Sequence, residues 1–183
     1  GVSISNSRHF NINKIHIIEY LKNNNLISKI LDPKYVNIIS KLYKKNNISI
    51  VFTNGCFDIL HSGHLDLIKY ANTVGDILIL GLNSDISVKK NKGKLRPFIK
   101  YEDRSKLLSS LDYIDYIVPF DNKTPIEIIK NIAPDVLLKG PDYKAEEIVG
   151  SRFMKKKGKK IIIFKSKKNI SSTRIFKNIK KSV

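Results

Sequence analysis

Apolar and polar positions along this chain switch period repeatedly. Near-continuous apolar runs at residues 48–53, 76–82, 113–118, 136–139 and 160–164 are short enough for strands buried on both faces. Between them lie stretches with apolar residues at helical spacing. The first helix is expected after Asp32-Pro33, an N-cap followed by proline at the first helical position, with Tyr35, Ile38, Ile39, Leu42 and Tyr43 on its buried face. The next follows His61 and presents Leu65, Ile68 and Ala71 before ending near Gly75. Further helices are predicted over residues 101–111, from Thr124-Pro125-Ile126-Glu127 (a capping box) to Ile132, over 144–157, and over 174–180. This alternation predicts a doubly wound, Rossmann-like α/β domain with about five parallel strands. It spans residues 31–183; residues 1–30, polar and Asn-rich with one weak helical pattern at 14–21, are expected to be a linker or peripheral helix.

The chemistry gathers at the end of the first strand, in Val51-Phe-Thr-Asn-Gly-Cys-Phe-Asp-Ile-Leu-His-Ser-Gly-His64. A strand hands over to a helix through Asn54-Gly55, and two of the four histidines, His61 and His64, fall at the start of that helix. A helix start offers unpaired N–H groups and a partial positive charge, which suit an anion. Gly63 between the histidines leaves room for close approach of a ligand to the backbone. Taken singly, either histidine reads equally well as a cap or a surface residue.

The string Thr53-Asn54-Gly55-Cys56-Phe57-Asp58 with His61-Ser62-Gly63-His64 resembles the signature of the cytidylyltransferase-like nucleotidyltransferases, most closely the adenylyltransferases acting on heptose 1-phosphate. Later segments are similar to the same family in the same order: Leu82-Asn83-Ser84-Asp85, then Lys92-Gly93 and Arg96-Pro97, then Lys139-Gly140-Pro141-Asp142-Tyr143, then Ser171-Ser172-Thr173. Two departures stand out. Pro141 replaces a second glycine and cannot take positive φ, and Lys168-Asn169 replaces Glu-Gly.

The resemblance implies transfer of AMP from ATP to a sugar 1-phosphate, with D-glycero-β-D-manno-heptose 1-phosphate as the expected acceptor and pyrophosphate as the second product. It implies His61, His64 and Lys94 as catalytic groups, with Lys92 as the alternative loop cation. It implies nucleotide contacts from Thr53, Asn54, Gly55, Cys56, Phe57, Gly63, Asn83, Lys92, Arg104, Lys139, Gly140, Asp142, Ser171, Ser172 and Thr173. Arg104 reads either as a surface ion pair or as a residue that orders the loops. Residues 87–97, with four lysines and one arginine around Gly93, read as a solvated loop or as a mobile arm that closes over phosphates. Mg²⁺ is expected on the triphosphate, with no protein metal site. Family members self-associate and many are fused behind a sugar kinase, so a homo-oligomer and a fusion partner are expected too.

Composition narrows this picture only a little. The hydrophobic fraction of 42% over 183 residues suits one domain with a substantial core. No apolar run approaches the roughly 20 residues of a membrane span. The opening residues are polar, without the apolar core of a signal peptide, and the lack of an initiator Met suggests a processed chain or a fragment. The single Cys56 fits a reducing compartment, and a cytoplasmic location is expected. The net charge of +18 could serve a polyanion, but aromatic residues do not interleave with the lysines, so nucleic acid is the disfavoured partner. The competing functions are a CTP-dependent enzyme acting on glycerol or ethanolamine phosphate, and a polyanion-binding domain without catalysis.

Overall fold

The computed structural model describes residues 28–141, 144–165, 172 and 174–176. Asp32 opens the first helical segment: its carboxylate accepts the Lys34 amide at 3.0 Å, and Pro33 begins a 3₁₀ turn, Pro33–Tyr35. The turn runs into α1 (Val36–Lys45), which buries Val36, Ile39, Ser40 and Tyr43. The buried face is rotated from the expected one, and Ile38 is left 53% exposed. Ser40 can occupy that face because its hydroxyl donates back to the Val36 carbonyl at 2.7 Å.

The chain then alternates through β1 (Ile50–Gly55), α2 (Ser62–Ala71), β2 (Ile77–Asn83), α3 (Asp85–Lys92), α4 (Tyr101–Ser109), β3 (Tyr116–Phe120), α5 (Ile126–Ile132), β4 (Val136–Lys139), a 3₁₀ turn (Ala145–Glu147), α6 (Ser151–Lys156) and β5 (Lys160–Ile163). The five strands form one parallel sheet in the order β3-β2-β1-β4-β5. Alternating side chains feed two cores. Ile50, Phe52, Ile79, Val118 and Leu137 pack with Ile39 and Ile129 on one face, while Val51, Leu78, Leu80 and Leu138 pack with Ile68 and Leu108 on the other. Each fully buried aliphatic or aromatic side chain contributes about 1.5–3 kcal/mol relative to exposure.

Three aspartates finish the sheet at the N-terminal ends of the strands. Asp76 accepts the Ser49 amide at 2.8 Å, Asp115 that of Leu78 at 2.8 Å, and Asp135 that of Ile50 at 2.9 Å. Each satisfies a backbone amide at or next to the start of a strand. At the outer edge, residues 29–31 add a bridge: Leu31 N–H donates to the Ile117 carbonyl at 2.8 Å, and Ile117 N–H to that of Lys29 at 2.6 Å.

Several elements differ from the sequence reading. Residues 87–97 are expected as a loop, yet residues 85–92 form α3. Ser84 caps it by accepting the Ser87 amide at 3.2 Å, and Asp85 sits in the first turn, where the helix dipole favours a negative charge. The capping box at Thr124 is not made: α5 begins after Pro125 with no side-chain cap, and Glu127 pairs instead with Lys130 at 3.0 Å. The helix expected over 144–157 is broken into the 3₁₀ turn and α6, because Gly150 takes a φ of 92°, outside helical values. The expected helix at 14–21 lies outside the described residues, as does most of that at 174–180.

The strand order reverses between β1 and β4. In a doubly wound sheet a crevice opens at that point, beyond the carboxyl ends of the strands.

Candidate active site

β1 ends in that crevice, and its register runs on to Gly55, which pairs with Leu82 of β2. The chain turns back sharply at Phe57, a non-glycine residue with φ of 47°. Its ring is buried and covers Gly55; a Cβ added at residue 55 would lie 3.0 Å from the ring, so a larger residue there would have to push the ring aside. The same ring meets the His64 imidazole at 4.8 Å between centroids.

His61 is the N-cap residue of α2 with extended backbone, and its carbonyl accepts the His64 amide at 2.9 Å. The first amides of a helix have no intrahelical acceptor, so the start of α2, which follows the C-terminal end of β1 in the chain, has donors to spare. The two imidazoles stack, with centroids 3.8 Å apart and planes 21° from parallel. Nδ1 of both rings is buried without a hydrogen-bond partner, as is the Thr53 hydroxyl at the end of β1. Orphaned buried polar atoms are uncommon in a folded protein, and three of them fall on this one strand–helix unit.

Burial drives the His64 pKa down to about 3, helped by the neighbouring His61 and the charge of Lys92. His61 is also lowered by burial. Both rings are therefore neutral near pH 7. Burial pushes the Cys56 thiol up, against activation as a nucleophile.

Across the switch point, Lys139 at the end of β4 is 4% exposed and donates to Oδ1 of Asn54. Burial lowers its pKa to about 8. This contact joins two strands that are adjacent in space and far apart in sequence. Gly140 follows with open space where a Cβ would be.

Arg104 is not a surface residue. Its guanidinium is 0% exposed and donates to the carbonyls of Ile99 at 2.9 Å, Cys56 at 2.6 Å and Asn83 at 2.8 Å, and to Asp85 at 2.7 Å. It therefore ties the loops after β1 and β2 to the segment before α4, and four of its five N–H donors are spent on the protein. The Asn83 side chain is likewise engaged, donating to the Ser87 hydroxyl at 2.8 Å. Lys92 ends α3 and is exposed, as is Lys94 just beyond it. Ser172, 7% exposed, donates to the Ile59 carbonyl at 3.1 Å, which brings the C-terminal segment against the loop that carries the histidines. Gly63 lies in the first turn of α2. Asp142, Ser171 and Thr173 lie outside the described residues.

The sequence reading quotes Asp58 and Arg96 within motifs but gives neither a role. Asp58 is 1% exposed; its carboxylate accepts from the Arg96 guanidinium and from the amides of Phe98 at 2.7 Å and Ile99 at 3.1 Å. Nothing in the spacing of Asp58 and Arg96, 38 residues apart, announces that pairing. Among the described residues no group of three or more His, Cys, Asp or Glu side chains is arranged to hold a metal ion.

A family model described as cytidylyltransferase-like matches residues 52–178. The chain belongs to the cytidylyltransferase-like family. It is thus a nucleotidyltransferase domain, and the histidine pair, the Lys139–Asn54 contact and the Arg104 hub lie within the matched region. The bifunctional protein HldE of Wolinella succinogenes is 50% identical over 127 residues, 69% of this chain and 27% of that protein. Its counterpart in Campylobacter concisus is 49% identical over 139 residues, 76% of this chain and 29% of that protein. The chain thus spans less than a third of the length of these relatives. Among solved structures, a lipopolysaccharide core biosynthesis protein from Thermoplasma volcanium superposes with a TM-score of 0.54 at 25% identity, covering 67% of this chain and 99% of that one. No helix among the described residues is long and apolar enough to cross a membrane.

Proposed function

We propose that this chain transfers AMP from ATP to a sugar 1-phosphate, with D-glycero-β-D-manno-heptose 1-phosphate as the acceptor, releasing pyrophosphate and an ADP-sugar. The observation that carries the reading is the stacked pair His61–His64 with both Nδ1 atoms buried and unpartnered at a helix start beside the sheet's crevice. Hydrogen-bond donors and a helix dipole held in that position suit a group that gains negative charge in the transition state. The two relatives named HldE support the choice of acceptor.

In this reading an oxygen of the sugar phosphate attacks the α-phosphorus, and the bond from that phosphorus to the pyrophosphate oxygen breaks. The attacking phosphate is already ionised at neutral pH, so no general base is required. The protein's work is positioning and charge stabilisation. His61 and His64 bind oxygens of the α- and β-phosphates. Lys94, with Lys92 as its alternative, and Lys139 supply positive charge, while Ser171, Ser172 and Thr173 hold the distal phosphates. Thr53, Asn54, Gly55, Cys56 and Phe57 line the nucleotide side, together with Gly63, Gly140 and Asp142. Asn83 and Arg104 support the loops beneath.

A Mg²⁺ ion would enter on the triphosphate. The carboxylates of Asp58 and Asp85 are already engaged by Arg96 and Arg104, which fits an ion held mainly by phosphate oxygens rather than by a protein cage. Bound there, it would neutralise charge on the leaving pyrophosphate. Residues from Leu31 onward form the catalytic domain in this proposal. It corresponds to the adenylyl-transfer part of the longer bifunctional relatives and works in the cytoplasm, where ATP and phosphorylated sugars meet.

The test is a panel of ATP and CTP against heptose 1-phosphate, glycerol 3-phosphate and ethanolamine phosphate, scored by pyrophosphate release. Turnover with ATP and heptose 1-phosphate is expected. Turnover confined to CTP with glycerol 3-phosphate would replace the proposed substrates. RNA binding with no pyrophosphate from any pair would replace catalysis altogether.

A further inference from the structure

The Asp58–Arg96 pair lies outside the triphosphate contacts proposed above, yet three parts of the site converge on it. Asp58 precedes His61 by three residues, on the loop between β1 and α2. Its carboxylate, with 0% of the side chain exposed, takes Arg96 on one oxygen and the Phe98 and Ile99 amides on the other. Arg96 follows Lys94 by two residues, so this triple contact fixes the point where the lysine-bearing segment re-enters the protein. The Ile99 carbonyl is held from behind by Arg104 at 2.9 Å.

The guanidinium of Arg96 also stacks on aromatic rings. Its central carbon lies 3.9 Å from the Phe98 ring centre and 5.4 Å from that of Phe176, and the two rings are 4.7 Å apart. Phe176 belongs to the C-terminal segment that Ser172 fastens to Ile59. One buried ion pair thus couples the histidine loop, the lysine segment and the C-terminal segment. A carboxylate with 0% of its side chain exposed and three donors already on it is built to hold, not to react.

We propose that Asp58 and Arg96 are positioning residues that set Lys92 and Lys94 over the phosphates of a nucleoside triphosphate and make the lysine segment and the C-terminal segment move as one. This rests on the triphosphate reading of the site. Asp58 then acts on catalysis through the lysines, and its removal has a signature that mere destabilisation lacks. Once the latch is gone, removing the lysines costs little more.

The experiment is a double-mutant cycle on the full chain, combining Asp58→Asn with Lys92→Ala/Lys94→Ala. KM for ATP and kcat are measured by pyrophosphate release, and folding is monitored by thermal melting. The lysine variant and Asp58→Asn are each expected to raise KM for ATP at least tenfold. The combined variant should lie within about threefold of the worse one. Trypsin cleavage at Lys92 and Lys94 gives a second readout: ATP protects the parent protein, and the protection is lost in Asp58→Asn. Should Asp58→Asn fail to fold, Arg96→Gln serves in its place, because it leaves Asp58 its two backbone donors. Full multiplicative effects in the cycle, with ATP protection intact, would overturn the proposal while leaving the triphosphate site standing. A parent protein that neither binds ATP nor releases pyrophosphate would instead remove the reading beneath it.

Discussion

The imidazoles of His61 and His64 lie face to face, 3.8 Å between centroids, with each Nδ1 buried and unpaired. Two protonated rings at that separation would repel strongly, and burial already disfavours one charge. The pair is therefore a neutral hydrogen-bonding unit near pH 7, and in the proposed reaction it meets the phosphates as a neutral donor pair.

Replacing either ring tests that unit. His61→Ala and His64→Ala should each lower kcat by about 10²–10³, the usual loss for one preorganised donor at a developing charge. KM for ATP should move much less. A loss confined to KM would assign the rings to ground-state binding alone.

The same burial predicts how stability depends on acid. His64 has a pKa of about 3 in the folded chain against 6.5 unfolded. The unfolded chain therefore binds more protons between those values, and stability falls as pH drops from 6.5 toward 3. Urea midpoints at pH 7.5, 6 and 4.5 should decline, and His64→Asn should flatten the part of that slope owed to this residue. An unchanged slope in the variant would mean that His64 titrates normally.

Lys139 should report the nucleotide through pH. Its folded pKa of about 8 means that the protein loses this charge over the range in which a free lysine keeps it. ATP affinity should weaken between pH 7 and 9, with proton uptake on binding at pH 9, both visible by calorimetry in buffers of different ionisation enthalpy. Lys139→Met should bind more weakly at pH 7 and lose that dependence.

Arg104 is expected to matter for architecture more than for phosphate contact. In Arg104→Lys a single ammonium cannot serve three carbonyls and Asp85 together. The unsatisfied acceptors should cost about 1–3 kcal/mol, seen as a lower urea midpoint. Saturating ATP should recover part of the lost stability if the loops re-form around it.

Gly81 links core packing to the site. A Cβ there would lie 2.8 Å from the Phe52 ring and 3.0 Å from Cβ of Asn54, which holds Lys139. Gly81→Ala should destabilise the chain by about 1–3 kcal/mol through overpacking. It should also shift the pH dependence assigned to Lys139, which Ile68→Ala, a comparable core lesion on the other side of β1, should leave alone.

Much of this was legible in the residues. Apolar runs and helical spacings gave the alternation of strands and helices, because burial on both faces of a parallel sheet leaves a continuous apolar signature. The segment from Thr53 to His64 pointed to the candidate site because a glycine turn and a histidine pair at a helix start are local features. The reading failed where local signals competed. The charges at residues 87–97 suggested a loop, whereas the Ser84 cap and the Asp85 charge start a helix there. Helical composition over 144–157 concealed the turn at Gly150.

The sequence by itself determined the parallel sheet, the bend after β1 and the presence of two imidazoles at one helix start, since each depends on residues close together in the chain. Only the tertiary structure decided that Arg104 is buried in a hub, that Lys139 reaches Asn54 across the switch point, and that Asp58 belongs to Arg96. Those partners are 85 residues apart for Lys139 and 38 for Arg96. No periodicity encodes such pairings; they arise when the strand order brings distant loops to one edge of the sheet, where a buried charge must find its counterpart.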